Sequence, residues 1–82
     1  MNMLLTIDIG NSHTVIGLFA EEEIRHHWRI RTNHKHTADE IAATLHTLFA
    51  MARCPAEGVD GVIIASVVPQ VQASWLAVGR TL

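Results

Sequence analysis

Hydrophobic and polar residues change their spacing along this chain, and each change marks an element. Met3 to Asp8 is apolar and β-prone and ends in a carboxylate. Ile9-Gly10-Asn11-Ser12 carries turn chemistry, because glycine and asparagine both tolerate positive φ. Thr14 to Ala20 is strand-like again, with Val15, Ile16, Leu18 and Phe19, so the pair predicts a hairpin closed by a polar turn. Glu21-Glu22-Glu23 predicts a second, acidic turn. The next run alternates: Ile24, His26, Trp28 and Ile30 fall on one face, and Arg25, His27, Arg29 and Arg31 on the other. Period two predicts a half-buried antiparallel strand with a basic outer face.

After the polar loop Asn33-His34-Lys35-His36 the period lengthens. Ala38, Ile41, Ala42, Leu45, Leu48, Phe49 and Ala52 follow the spacing of an amphipathic helix. Thr37 is the expected N-cap, with Glu40 in capping-box position. Asp39 and Glu40 also place negative charge where the helix dipole favours it. Pro55 and Gly58 are expected to end the element. Val59 to Val68 is a nearly unbroken apolar run, which predicts a central parallel strand buried on both faces. Pro69 suits the first turn of a second helix, in which Val71, Trp75, Val78 and Leu82 recur at helical spacing. Trp28 and Trp75 are expected to fill the two sides of the sheet core, the alternative being that either meets a missing domain. The order β-β-β-α-β-α predicts an α/β fold with a mixed sheet, its first three strands antiparallel and its fourth parallel to the first. A ribonuclease-H-like half-domain has this arrangement. The chain stops without a polar tail or a helix C-cap, as a piece of a larger domain would.

Composition narrows the class. A chain of 82 residues supports one small domain or part of one, and buries only about 60–65% of the surface it exposes when unfolded. With 49% hydrophobic and 17% charged residues, it is too apolar to be disordered. No apolar stretch reaches the roughly 18 residues needed to span a bilayer, so no membrane role is expected. Met1-Asn2-Met3-Leu4-Leu5 lacks the basic flank of a signal peptide. A net charge of −2 argues against a nucleic-acid partner bound through phosphate neutralisation. Cys54, the single cysteine, cannot form an internal disulfide, which fits a reducing, cytoplasmic location.

Candidate chemistry concentrates in Asp8-Ile9-Gly10-Asn11-Ser12-His13-Thr14-Val15. A carboxylate at the end of a buried strand costs free energy unless something uses it, and metal–phosphate complexes commonly do. Gly10 lets the backbone approach a ligand closely, successive backbone N–H groups form an anion-binding nest, and Asn11 and Ser12 add side-chain donors. These residues describe either a phosphate cradle, with Asp8 orienting Mg²⁺ through water, or an ordinary hairpin turn. No Walker P-loop or Gly-x-Gly-x-x-Gly is present. The histidines read as solvated or packed: His34 and His36 share a loop, His26 and His27 point to opposite faces, and no partner sits at metal-ligand spacing. His13 is expected to offer its backbone N–H. Arg25, Arg29 and Arg31 read as a solvated face paired with nearby glutamates rather than as an anion or domain contact. Asp39 and Glu40 read as capping residues, and Cys54 as structural or incidental.

Three stretches together resemble the N-terminal part of type III pantothenate kinases. They are Asp8-Ile9-Gly10-Asn11-Ser12; Trp28-Arg29-Ile30-Arg31-Thr32 followed by Thr37-Ala38-Asp39-Glu40; and Ser66-Val67-Val68-Pro69. The resemblance covers essentially the whole chain. It implies membership of the acetate-kinase, sugar-kinase, Hsp70 and actin superfamily, in which ATP lies between two ribonuclease-H-like domains. Residues 1–82 would be an incomplete N-terminal domain, with the second domain absent. The implied reaction transfers the γ-phosphoryl group of ATP to pantothenate, the first step toward coenzyme A, with Mg²⁺ and a monovalent cation, potassium or ammonium. Asp8, Ile9, Gly10, Asn11, Ser12, His13, Thr14 and Val15 would bind the ATP phosphates, and Asp8 would also organise the metal indirectly. Ser12 stands where many members have threonine, and the hydroxyl is kept. The family's Gly-x-Asp-Arg segment, which supplies the general-base aspartate, and its second Asp-x-Gly-Thr motif do not occur here. No catalytic residue is therefore expected in this chain, and the 82 residues alone should be inactive. A homodimer is implied for the full-length parent. The alternatives are a non-catalytic regulatory or binding protein on the same scaffold, or a kinase of the superfamily with another acceptor.

Overall fold

A computed structural model describes residues 2–81. Three strands lead: β1 (Met3–Ile9), β2 (His13–Ala20) and β3 (Glu23–Arg31). Helix α1 (Ala38–Ala52) follows, then one 3₁₀ turn (Ala56–Gly58), strand β4 (Val59–Ser66) and helix α2 (Pro69–Gly79). The sheet order is β3-β2-β1-β4. β1 pairs antiparallel with β2 and parallel with β4, and β2 pairs antiparallel with β3. This is the α/β mixed sheet that the spacing predicts. Leu82, placed by the pattern on α2, lies outside the described residues.

One face of the sheet carries the core. Leu5, Ile7 and Ile9 of β1 and Ile16 and Leu18 of β2 pack with Ile41, Leu45 and Phe49 of α1 and with Val71, Trp75 and Val78 of α2, each at most 5% exposed. Period two in the strands and period 3.6 in the helices bring these residues into one layer. Thr37 caps α1 as expected: its hydroxyl accepts from the Glu40 N–H at 3.2 Å, and its own N–H donates to the Glu40 carboxylate at 3.0 Å. That hydrogen bond, reinforced by the Thr37 hydroxyl and by nearby His36, holds the Glu40 carboxyl below its usual range. α1 ends before Pro55. Arg53 turns left-handed at φ 57°, and the Arg53 and Cys54 amides satisfy the Ala50 and Phe49 carbonyls. Pro69 sits in the first turn of α2.

The opposite face of the sheet is open, and three expectations change with it. β4 is at the sheet edge among the described residues, not central, and it is not buried on both faces: Ile63 is 56% exposed. An apolar run cannot distinguish a doubly covered strand from one whose second cover lies elsewhere. Trp28 and Trp75 share one side rather than flanking the sheet. Trp28 stacks on Phe49 of α1 at 6.0 Å, and Trp75 belongs to the same core. Ile24 does not share a face with His26, Trp28 and Ile30. Pairing jumps from Leu18↔His26 to Phe19↔Ile24, so Arg25 is an extra residue in β3. Such a bulge reverses the alternation beyond it. Ile24 therefore lies beside Gly17 on the open face, 54% exposed.

Candidate functional site

The β1–β2 turn closes through one backbone bond, from Gly10 N–H to the His13 carbonyl at 2.9 Å. No residue in it has positive φ; among the described residues only Glu21 and Arg53 do. Gly10 and Asn11 are thus not required for a left-handed conformation. Gly10 is required for space instead: a Cβ there would sit 3.0 Å from the His13 carbonyl oxygen. Beyond Gly10, the Asn11 and Ser12 amide N–H groups have no protein partner among the described residues. Both residues are exposed.

The eight candidate residues divide by face. Ile9 is fully buried in the core, so its backbone alone borders the turn, where its carbonyl accepts from Val67 N at 3.1 Å. Thr14 is 1% exposed, and its hydroxyl meets the Thr32 hydroxyl at 2.9 Å. Asp8, His13 and Val15 lie on the open face, with Asp8 paired to Val15 across β2 and to Ala65 across β4. The Asp8 carboxylate is exposed. The desolvation argument for it therefore fails, because its strand is covered on one side only.

Positive charge surrounds the turn. Arg31 pairs with His13 and Arg29 with Val15, and Ser12, His13, Arg31 and Thr32 line a shallow depression of ≈ 340 Å³. Glutamate pairing accounts for Arg25, whose guanidinium lies 3.8 Å from Glu23. Among the described residues, Arg29 and Arg31 have no such partner. Topology adds a further contribution: α1 follows β3 and α2 follows β4, so both helices begin at the turn's end of the sheet and direct their positive dipole ends there. Free amides, two unpaired guanidiniums and one exposed carboxylate form an arrangement suited to a metal-complexed polyanion.

The family model for type III pantothenate kinase matches residues 4–81. The chain belongs to the type III pantothenate kinase family. A type III pantothenate kinase of Streptomyces avermitilis is 52% identical over 73 residues, covering 84% of this chain and 28% of the relative. Those of Halalkalibacterium halodurans and Desulfotalea psychrophila are 43% and 40% identical, covering 88% and 90% of this chain. The chain spans about 28% of the length of these relatives.

The three stretches that carry the family resemblance meet at one end of the sheet. Ile9 pairs with Ser66 in β4, whose hydroxyl accepts from Val68 N at 2.9 Å at the entry to α2. Arg31 of the second stretch pairs beside the turn, so Thr32 follows directly against Ser12. From sequence alone Thr32 has no role of its own and His34 is a loop histidine. The structure brings both to the turn: Thr32 Oγ1 donates to the Gly10 carbonyl at 2.7 Å, and His34 Nε2 meets the Asn11 carbonyl at 3.0 Å. The available signal was the hairpin itself, because β3 must return its last residues to the β1–β2 turn.

Proposed function

We propose that this chain is the N-terminal, ribonuclease-H-like part of a kinase that transfers the γ-phosphoryl group of ATP to pantothenate, giving 4'-phosphopantothenate, the first step of coenzyme A synthesis. The observation that carries the reading is the pair of unpartnered Asn11 and Ser12 amides in a chain of this family. In this reading Asp8 to Val15 is the ATP phosphate segment. Gly10 admits the phosphates close to the backbone, Asn11 and Ser12 donate to their oxygens, and Arg29 and Arg31 add positive potential. Ile9 and Thr14 act from beneath, through backbone position. Mg²⁺ neutralises phosphate charge when bound, and the exposed Asp8 carboxylate suits a metal held through water. Phosphoryl transfer depends mainly on positioning and electrostatic stabilisation, so these residues alone are not expected to catalyse it; in this reading the general-base aspartate, the monovalent-cation site, the pantothenate pocket and any dimer contact lie outside residues 1–82.

The test is a coupled assay of the full-length gene product carrying this segment, with ATP, Mg²⁺, potassium or ammonium, and pantothenate. Expected are stoichiometric ADP and phosphopantothenate, a loss of at least about 100-fold in kcat/KM for Asp8→Asn, and no turnover by residues 1–82 alone. Turnover of a different alcohol with none of pantothenate would overturn the reading.

A further inference from the structure

The carbonyl groups of Gly10, Asn11 and Ser12 are all held by the segment after β3. Gly10 C=O accepts from Thr32 Oγ1 at 2.7 Å, Ser12 C=O accepts from Thr32 N–H at 2.9 Å, and Asn11 C=O lies 3.0 Å from His34 Nε2. A carbonyl can only accept, so His34 carries its proton on Nε2 in this contact. The Thr32 hydroxyl has one proton and gives it to Gly10, so the Thr14 hydroxyl must donate to Thr32. The result is a directed chain from Thr14 through Thr32 to the turn, with Thr14 buried at its base.

From these contacts the geometry points to Thr32 and His34 as positioning residues, a clasp that orients the turn amides toward phosphate. In a planar trans peptide the N–H points opposite to the preceding C=O, and no peptide among the described residues is cis. Holding the Gly10, Asn11 and Ser12 carbonyls therefore aims the Asn11, Ser12 and His13 N–H groups away from the 32–34 segment. The clasp also keeps three partial negative charges off the anion. Without the Thr32 hydroxyl, the Gly10 carbonyl is free to pair with His13 N–H, the second bond that closes an ordinary hairpin. The inference rests on the reading of this turn as the ATP phosphate segment.

The experiment compares Thr32→Val, Thr32→Ser and His34→Ala in the full-length gene product. It measures KM for ATP, KM for pantothenate and thermal midpoint. For Thr32→Val, KM for ATP rises about tenfold, ~1.4 kcal/mol, while KM for pantothenate holds. Thr32→Ser returns KM for ATP to within about twofold of wild type, as retained hydroxyl chemistry requires. His34→Ala, at an exposed position, raises KM for ATP about threefold and carries the test if Thr32→Val does not fold. In parallel, ¹⁵N shifts of the Asn11 and Ser12 amides respond to inorganic tripolyphosphate in wild type and respond less in His34→Ala. Unchanged KM for ATP in both hydrogen-bond-deleting variants overturns the clasp. So does a uniform fall in midpoint and in all kinetic constants that Thr32→Ser does not rescue. Wild-type protein that fails to bind Mg-ATP overturns the phosphate reading and the clasp together, whereas failure of the clasp alone shows only in the variants.

Discussion

Gly10→Ala isolates the requirement for a close backbone approach in the turn. Gly10 does not have positive φ, so alanine is conformationally allowed and would by itself stabilise the protein by about 0.4–1 kcal/mol through the unfolded chain. Opposing this, the new Cβ meets the His13 carbonyl oxygen at 3.0 Å. That atom cannot simply swing aside, because it accepts the Gly10 N–H at 2.9 Å and closes the hairpin. Relieving the contact shifts backbone, which costs about 1–3 kcal/mol, and stretches a hydrogen bond worth about 0.5–1.5 kcal/mol. The cost exceeds the gain, leaving a net loss of roughly 1–3 kcal/mol. A domain of this size has only ~4–12 kcal/mol in total. Urea unfolding followed by tryptophan fluorescence measures the loss, since Trp75 is 2% exposed when folded. Gly61→Ala is the control. Its Cβ would meet only the Leu4 Cδ1 end at 3.3 Å, which can give way, so its change stays within about 0.5 kcal/mol. A Gly10→Ala protein as stable as wild type, or more so, would refute the steric argument. The same variant is expected to weaken Mg-ATP binding, because the displaced carbonyl shares the turn with the free amides.

Two further perturbations test the frame around the site. Glu40 has a folded-state carboxyl held low by the Thr37 amide. Its contribution is therefore present above the ordinary value of about 4.3 and is lost as pH falls through the lowered one. The thermal midpoints of wild type and Glu40→Gln should differ most above the ordinary carboxylate range and converge as pH falls below it; parallel curves would sink the assignment. Phe49 is 3% exposed and stacks on Trp28 at 6.0 Å, so Phe49→Ala should cost about 3–5 kcal/mol and shift the Trp28 emission to the red. A loss below about 1 kcal/mol would mean that α1 does not anchor this face.

The open face shows how far a one-dimensional pattern reaches. Alternation in β3 was legible from His26 to Arg31, yet it misplaced Ile24, because one extra residue, Arg25, reverses every side chain beyond it. Nothing in the local sequence announces that bulge; only the pairing partner decides it. Asp8 was legible as a candidate by its position after an apolar strand. Its solvation was not, because burial depends on what covers the second face of β1.

Element order, the Thr37–Glu40 cap, Pro69 at the start of α2 and the polar turn all follow from local spacing and backbone chemistry, which act over a few residues. The family resemblance also rested on short motifs readable in order along the chain. Tertiary structure alone decided that both tryptophans share one layer, that β4 is an edge strand among the described residues, and that Gly10 serves close approach rather than left-handed φ. It also decided that Thr32 and His34, twenty or more positions from the turn, hold its carbonyls. Hydrogen bonds across such separations are set by which strands lie side by side, and sheet pairing is a property of the folded chain rather than of any segment within it.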